Sequence, residues 1–237
     1  MASERRVLAD GEEICFLFER KRVKNINLRV RRDGTVSVSA PSRVPLSEVD
    51  AFVRTNAPFI RRARERVRAT PTPRPLCEGD VVYYFGAPYR LTLAVGARAL
   101  VFADGEALLS LPKPTDNIEQ AYFSLLGELL LPVLHARCAA FEAAHPRFAG
   151  KVREISVKRM RTMWGNCRPK TGKLTFSTLL ATVPLPLVDS VVAHEYVHFL
   201  HADHSTAFHL ALEAVSPNHR ALARALTDTR RTQMKNR

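Results

Sequence analysis

The stretch HEYVHFLHADH, residues 194–204, is the feature that most restricts how this chain can fold. His194 and His198 are four residues apart, so on an α-helix they lie about 40° apart on one face, one turn above the other. Two imidazoles in this arrangement can bind one zinc ion, and Glu195 lies beside them, where its carboxylate can polarise a bound water. The sequence therefore predicts a helix here, with one face that binds a metal.

The third ligand is predicted from spacing. A catalytic zinc ion usually takes three protein ligands and keeps its fourth position open for water. His204 follows the second histidine by six residues, which lets the helix end and the chain fold back, so we favour it as that ligand. Metzincins have a glycine in this turn where this chain has His201, so His201 or Asp203 is expected to take a left-handed conformation. Ser205 is the predicted cap of the next helix.

Two residues of that next helix, His209 and Glu213, are rival third ligands. They lie one turn apart on the same helix, so either could approach the metal. Asp189 and Asp203 are candidates for a carboxylate that fixes an imidazole tautomer, because ligating histidines normally donate their second N–H. His201 is expected to be an outer or surface residue.

The second half of the chain is predicted to be mainly helical. Apolar residues recur at helical spacing through residues 116–144, with a kink expected at Pro132. Two strands and two helices follow, at 153–158, 173–179, 186–200 and 205–215. A short helical tail is predicted after Pro217. The segment between the strands, RTMWGNCRPKTG, is predicted to be turn-rich, with Gly165 making a turn beside the packed indole of Trp164.

The first half is predicted to be strand-rich. Apolar and polar residues alternate on both sides of Asp33-Gly34, which is a strong hairpin signal. A basic helix is predicted over residues 45–68, capped by Ser47 and kinked or split at Pro58. Four further short strands are predicted at 83–85, 89–95, 99–102 and 107–109.

These elements predict an α+β fold with two regions. Residues 1–112 are expected to form a strand-rich basic region, and residues 113–237 a helical region with a small sheet. The proline-rich stretch TPTPRP, residues 70–75, is predicted to be a stiff extended linker.

Composition indicates a globular protein and a cellular location. The chain is 46% hydrophobic, enough to bury a core, and no apolar run is expected to reach the roughly 18 residues that span a bilayer. Its charged N-terminus has no apolar signal core, so we expect a cytoplasmic location and no membrane partner. The four cysteines form no C-x-x-C pair and are interpreted as reduced thiols.

The net charge of +13 indicates a polyanionic partner as one possibility. Much of the positive charge falls at residues 19–32 and 54–68, both in the first half. Nucleic acid or a nucleotide could bind there, although a basic solvated surface with no partner explains the same charge.

The run MWGNC, residues 163–167, followed by TFSTLL and VVAHEYVHFLHADHSTAFH, resembles the YgjP-like zinc metallopeptidase family, which is related to the SprT-like proteases. The likeness covers roughly residues 15–225 and is most specific in the last third. Ten positions match the family pattern: Arg161, Trp164, Gly165, Cys167, His194, Glu195, His198, His204, Ser205 and Phe208. Asn166 and Tyr196-Val197 depart from it.

The resemblance implies a zincin-like C-terminal half, zinc held by His194, His198 and His204, and Glu195 as the general base. Hydrolysis of a peptide or protein substrate is then the leading hypothesis. In that reaction the metal lowers the pKa of a water from about 15.7 toward about 7, and the glutamate takes its proton.

Two alternatives keep the metal but change its use. The first is a metal-dependent nucleoside triphosphate pyrophosphatase or phosphohydrolase, and the second is a nucleic-acid-binding module with a structural zinc. Arg161, Trp164 and Asn166 are possible cleft residues, because a cation near the metal could stabilise an oxyanion or a phosphate.

Overall fold

The structure is a computed structural model that describes residues 3–31, 33–69, 74–113, 117–160 and 162–235. The chain forms two compact units, Met1–Thr72 and Pro73–Arg237. The boundary predicted at residue 112 falls inside the second unit, because the strands before it share a core with the helix after it. Residues 70–73 of the predicted linker lie outside the described residues. The mixed α+β composition is confirmed.

The first unit contains a four-stranded sheet with the strand order β1-β2-β4-β3. The strands are β1 (Ser3–Ala9), β2 (Glu12–Arg20), β3 (Asn27–Val30) and β4 (Val36–Ala40). Strands β3 and β4 are antiparallel, which confirms the predicted hairpin. Gly34 takes a φ of 81°, and the side chain of Asp33 accepts a hydrogen bond of 2.9 Å from the backbone N–H of Thr35. The turn therefore uses both residues as the sequence predicts.

The basic helix is split into α1 (Leu46–Thr55) and α2 (Ala57–Ala69). The predicted cap at Ser47 is wrong: the helix begins one residue earlier, Pro45 is its cap position, and no side chain caps it. Pro58 is the second residue of α2, where its missing N–H is not needed for a helical hydrogen bond. Val49, Val53 and Ile60 are fully buried in the core of this unit.

The second unit begins with another four-stranded sheet, in the order β5-β6-β8-β7. Its strands are β5 (Val81–Tyr84), β6 (Ala87–Val95), β7 (Ala99–Ala103) and β8 (Glu106–Leu111). All four correspond to predicted strands, with ends that differ by a few residues. The central pair β6 and β8 is parallel, and both edge strands pair antiparallel to it.

Helix α3 (Ile118–Ala144) runs 27 residues and continues through Pro132. Its mean hydropathy reaches 1.3 over 18 residues, so by length and composition it could cross a membrane, contrary to the expectation that no apolar run is long enough. One face, which includes Leu126, Leu130 and Leu134, is buried in the core of the second unit. Such packing explains the apolar length of the helix in a globular unit.

A three-stranded sheet follows α3, with the strand order β10-β11-β9. Its strands are β9 (Glu154–Lys158), β10 (Gly165–Arg168) and β11 (Lys173–Ser177). Strand β10 lies in the segment that was predicted to be turn-rich, and it pairs antiparallel with β11. The prediction missed it because a four-residue strand is too short to show alternation.

Three helices complete the second unit: α4 (Leu185–Val197), α5 (Thr206–Val215) and α6 (His219–Lys235). Helices α4 and α5 match the prediction. Helix α6 spans 17 residues, so the predicted short tail is a full helix. Both α5 and α6 contact α4.

Candidate metal centre

Helix α4 is buried over most of its surface, which gives its histidines a fixed position. It contains Leu187, Val188, Val191 and Val192, and all four lie in the core. Two polar contacts hold it against α3. Arg137 forms an ion pair with Asp189, and the hydroxyl of Tyr196 donates a hydrogen bond of 2.7 Å to Glu142. Asp189 therefore binds an arginine of α3 and is not the carboxylate that orients a site histidine.

The three predicted metal-binding histidines lie together. The ring centroids of His194 and His198 are 4.9 Å apart, and the ring of His204 lies 5.0 Å from the first and 4.8 Å from the second. The Nε2 atoms of His194 and His204 are 3.1 Å apart. One ring nitrogen from each histidine falls within 4.8 Å of the other two, so the three could hold a single metal ion.

The turn that returns His204 to the helix needs no left-handed residue. Neither His201 nor Asp203 has a positive φ, so that expectation is wrong. The turn is instead fixed by side chains. Asp203 accepts a hydrogen bond of 3.3 Å from the N–H of Ser205, and Ser205 caps α5 by accepting one of 3.5 Å from the N–H of Phe208. The predicted cap at Ser205 is confirmed.

A backbone carbonyl orients the second histidine. Nδ1 of His198 lies 3.1 Å from the carbonyl oxygen of His201, so it carries a proton and donates it. The Nε2 lone pair is then free to bind a metal. His201 thus serves the site through its backbone, and its half-buried side chain lies outside the histidine cluster.

Burial favours the neutral rings that a metal requires. Burial, and to a smaller extent the neighbouring histidines, lower the pKa of His194 to about 4, because a second positive charge close by is unfavourable. Burial likewise lowers the pKa of His198. Both rings are therefore neutral near pH 7, and neutral imidazole is the form that binds metal ions.

Phe208 supports all three rings, a role that the spacing arguments did not assign. Its ring centroid lies 4.9 Å from that of His194, 4.7 Å from that of His198 and 4.8 Å from that of His204. The side chain is fully buried. The sequence feature that could have indicated this role is its spacing, because Phe208 lies three residues after the cap Ser205, in the first turn of α5.

Glu195 is buried beside the histidines. Its side chain is nearly inaccessible, and burial raises its pKa to about 8, while a hydrogen bond from the backbone N–H of Cys167 acts in the opposite direction. Gly165, which was expected to make a turn, lies in β10 directly against this carboxylate. A Cβ at that position would be 2.4 Å from Oε1 of Glu195. Any side chain at position 165 would therefore force the side chain of Glu195 to move.

A cavity of about 610 Å³ opens onto the histidines and Glu195. Trp164 and Asn166 line it, as predicted, and so does His219 of α6, which sequence reasoning missed. The third proposed cleft residue, Arg161, lies outside the described residues. Contact of Trp164 or Asn166 with a substrate stays a prediction.

The rival ligands lie outside the histidine cluster. Oε2 of Glu213 is 2.7 Å from Nδ1 of His219, and the ring of His209 stacks on that of His219 with centroids 5.8 Å apart. Among the described residues, the metal-ligand cluster contains the three histidines only. Three imidazoles that face a cavity fit a metal ion with one coordination position open to water.

These features are those of the metallopeptidase class. They are a buried helix with the H-E-x-x-H spacing, a third histidine that a turn brings back to this helix, and an open cavity beside the glutamate. A family model described as YgjP-like, metallopeptidase domain, matches residues 24–229. The chain belongs to this family, since the match covers most of its length. No curated protein matches the sequence.

The Gly165→Ala substitution tests the contact between β10 and Glu195. We expect it to lower the free energy of unfolding by about 1–3 kcal/mol, because the new methyl group overlaps the carboxylate. Gly96→Ala is the matched control, since a Cβ there meets its nearest atom at 3.9 Å. Denaturant unfolding followed through the single tryptophan measures the change in the second unit.

A double-mutant cycle separates this contact from a general strand effect. Glu195→Ala removes the three atoms that the new Cβ would meet, so Gly165→Ala should cost much less in that background. An equal cost in both backgrounds would show that Gly165 is needed for another reason.

Proposed function

We propose that the protein is a zinc-dependent hydrolase and that its reaction is peptide hydrolysis. His194, His198 and His204 would hold the metal, and Glu195 would be the general base. The observation that carries this proposal is the convergence of three histidine nitrogens within 4.8 Å of one another, beside a buried glutamate and an open cavity. Membership of the metallopeptidase-domain family supports it.

Bound zinc would supply a Lewis acid that makes water more acidic and polarises the substrate carbonyl. Glu195 takes a proton from the attacking water as its oxygen bonds to the carbonyl carbon. The carboxylic acid formed then returns this proton to the amide nitrogen as the C–N bond breaks. The hydrogen bond from the N–H of Cys167 fixes the carboxylate for both transfers, and Gly165 leaves the space that it occupies.

The lining of the cavity favours a peptide over a nucleoside triphosphate. Its side chains are largely apolar, with Trp164, Val191 and Leu226 as examples, and none of the described lining residues is a lysine or an arginine. Proteins that bind polyphosphates usually place such cations on the phosphates. A role of the basic first unit in binding nucleic acid remains a prediction from charge alone.

The same cavity favours a catalytic metal over a structural one. Structural zinc sites are usually closed by four protein ligands, often cysteines. The described part of the chain offers three ligands at this cluster, all histidines. Cys167 lines the cavity, but burial raises the pKa of its thiol to about 12, which disfavours the thiolate that zinc binds.

Glu195→Gln should strongly slow hydrolysis and leave metal binding intact. The amide keeps the shape of the side chain but cannot take a proton, so we expect peptide hydrolysis to fall by about 10²–10⁴-fold. Casein digestion with and without a chelator, paired with metal analysis, measures both properties. The exposed Glu106→Gln is the control and should behave like the wild type. Full activity in Glu195→Gln would contradict the proposed base.

His204→Ala should weaken zinc binding by more than the about 10–100-fold that is typical of changes to residues behind the ligands. His201→Ala is the matched control in the same turn. It removes a side chain outside the cluster and keeps the carbonyl that orients His198. Competition with a fluorescent zinc chelator measures the affinity. Equal affinities of the two variants would exclude His204 as a ligand.

A further inference from the structure

The two edges of the sheet in the first unit carry different charge. The strand order is β1-β2-β4-β3, so β1 and β3 are the edge strands. On the β1 side both signs occur together, because Arg6 lies 3.7 Å from Glu4 and 3.6 Å from Glu13. The stretch 20–44, which includes β3 and β4, contains eight lysines and arginines but a single acidic residue, Asp33. Unbalanced positive charge is therefore found at the β3 edge.

Five cations of this stretch are exposed and form no ion pair within the described part of the chain. They are Arg22, Lys24, Arg29, Arg31 and Arg43. The guanidinium of Arg43 donates a hydrogen bond of 3.2 Å to the carbonyl oxygen of Lys24, which brings it beside the loop that leads into β3. One carboxylate in the whole stretch cannot balance five such charges.

The outer face of β3 and β4 adds hydroxyl groups beside these cations. Alternate residues of β4 are buried in the core of the unit, so the residues between them point to the opposite face. On that face Ser37 is the cross-strand partner of Arg29, and Ser39 is that of Asn27. Neither serine side chain forms a hydrogen bond within the described residues. Hydroxyl and guanidinium groups side by side are donors that proteins direct at phosphate oxygens.

Protection of the edge strand explains only part of this pattern. Charged side chains on an edge strand keep other strands from pairing with it. Charges of either sign meet that need, as they do at β1. Arg22, Lys24 and Arg43 lie in the connecting segments and not in the strand. Their charges add to a positive field that attracts a polyanion.

The composition of the same stretch indicates which polyanion fits. Residues 20–44 contain no phenylalanine, tyrosine or tryptophan, and no large apolar side chain among them is exposed. Proteins that bind single strands stack the bases on aromatic rings, and helices that bind a membrane surface insert apolar side chains. A duplex instead presents phosphates along its outer surface, with its bases stacked inside.

We propose that the β3 edge, together with the loops that precede β3 and follow β4, binds the phosphate backbone of a double-stranded nucleic acid without reading its sequence. Arg22, Lys24, Arg29 and Arg31 contact the phosphates, and Ser37 donates its hydroxyl to the phosphate beside Arg29. This inference goes beyond the proposed hydrolysis and is independent of the metal centre. It gives a location to the partner that net charge alone predicts.

The triple variant Arg22→Gln, Lys24→Gln, Arg29→Gln tests this surface. A fluorescent DNA duplex of about 20 base pairs is titrated with the full chain at about 50–200 mM salt and followed by anisotropy. The variant should bind at least about tenfold more weakly at the lowest salt. Its slope of log K against log salt should be smaller by about 3, because each lost phosphate contact removes about one unit. Circular dichroism checks that the fold is retained, as the exposure of all three side chains predicts.

The triple variant Lys170→Gln, Arg220→Gln, Arg224→Gln is the matched control. It removes the same charge from exposed positions of the second unit, so it should bind the duplex like the wild type. Equal losses in the two triple variants would show that only net charge acts, and would overturn the proposed surface. An absence of duplex binding by the wild type would overturn it as well.

Substitution of Ser37 tests the outer face without removing a cation. Ser37→Glu places a carboxylate beside Arg29, where it repels the phosphates, so the affinity for the duplex should fall. Ser37→Thr keeps the hydroxyl and suits a strand, so it should bind like the wild type. Unchanged affinity in Ser37→Glu would overturn the inference.

Two further measurements separate this surface from the metal centre and from a membrane. His204→Ala should bind the duplex like the wild type, so a failure of peptide hydrolysis leaves the inference standing, whereas weaker duplex binding in this variant would contradict it. Vesicles of phosphatidylcholine and phosphatidylserine in equal parts should displace less labelled duplex than unlabelled duplex does at the same phosphate concentration. Better competition by the vesicles would overturn the assignment to nucleic acid.

Discussion

The site depends on three imidazole rings that face one another, two of them half-buried and that of His204 exposed. Such rings repel one another when protonated, and burial together with the neighbouring histidines lowers the pKa of His194 to about 4. The fold thus favours the neutral, metal-binding form of His194 and His198. Phe208 packs against all three rings, and its position follows from the cap at Ser205.

Burial shifts the pKa of Glu195 in the direction opposite to that of the histidines. Removing a carboxylate from water raises its pKa, here to about 8, whereas removing an imidazolium lowers its pKa. A single apolar helix therefore supplies both neutral ligands and a carboxylate with high proton affinity. Strand β10 completes the arrangement, because Gly165 admits the glutamate and the N–H of Cys167 binds it.

Local patterns in the sequence predicted much of the site and of the fold. The spacing of His194, His198 and His204 and the cap at Ser205 depend on helix geometry within one short stretch, and the structure agrees with them. The contact of Gly165 with Glu195 and the place of His219 in the cavity lining were missed, because both depend on residues distant in the chain, which no periodicity reports. Ser47 failed as a cap because capping preference does not fix where a helix starts.

X-ray absorption at the zinc edge of the metal-loaded protein tests the proposed ligand set directly. Three imidazole nitrogens and one oxygen are expected at about 2.0–2.1 Å, with no sulfur in the shell. Sulfur scattering at about 2.3 Å would bring a cysteine into the site and contradict the proposal that three histidines hold the metal with its fourth position open to water.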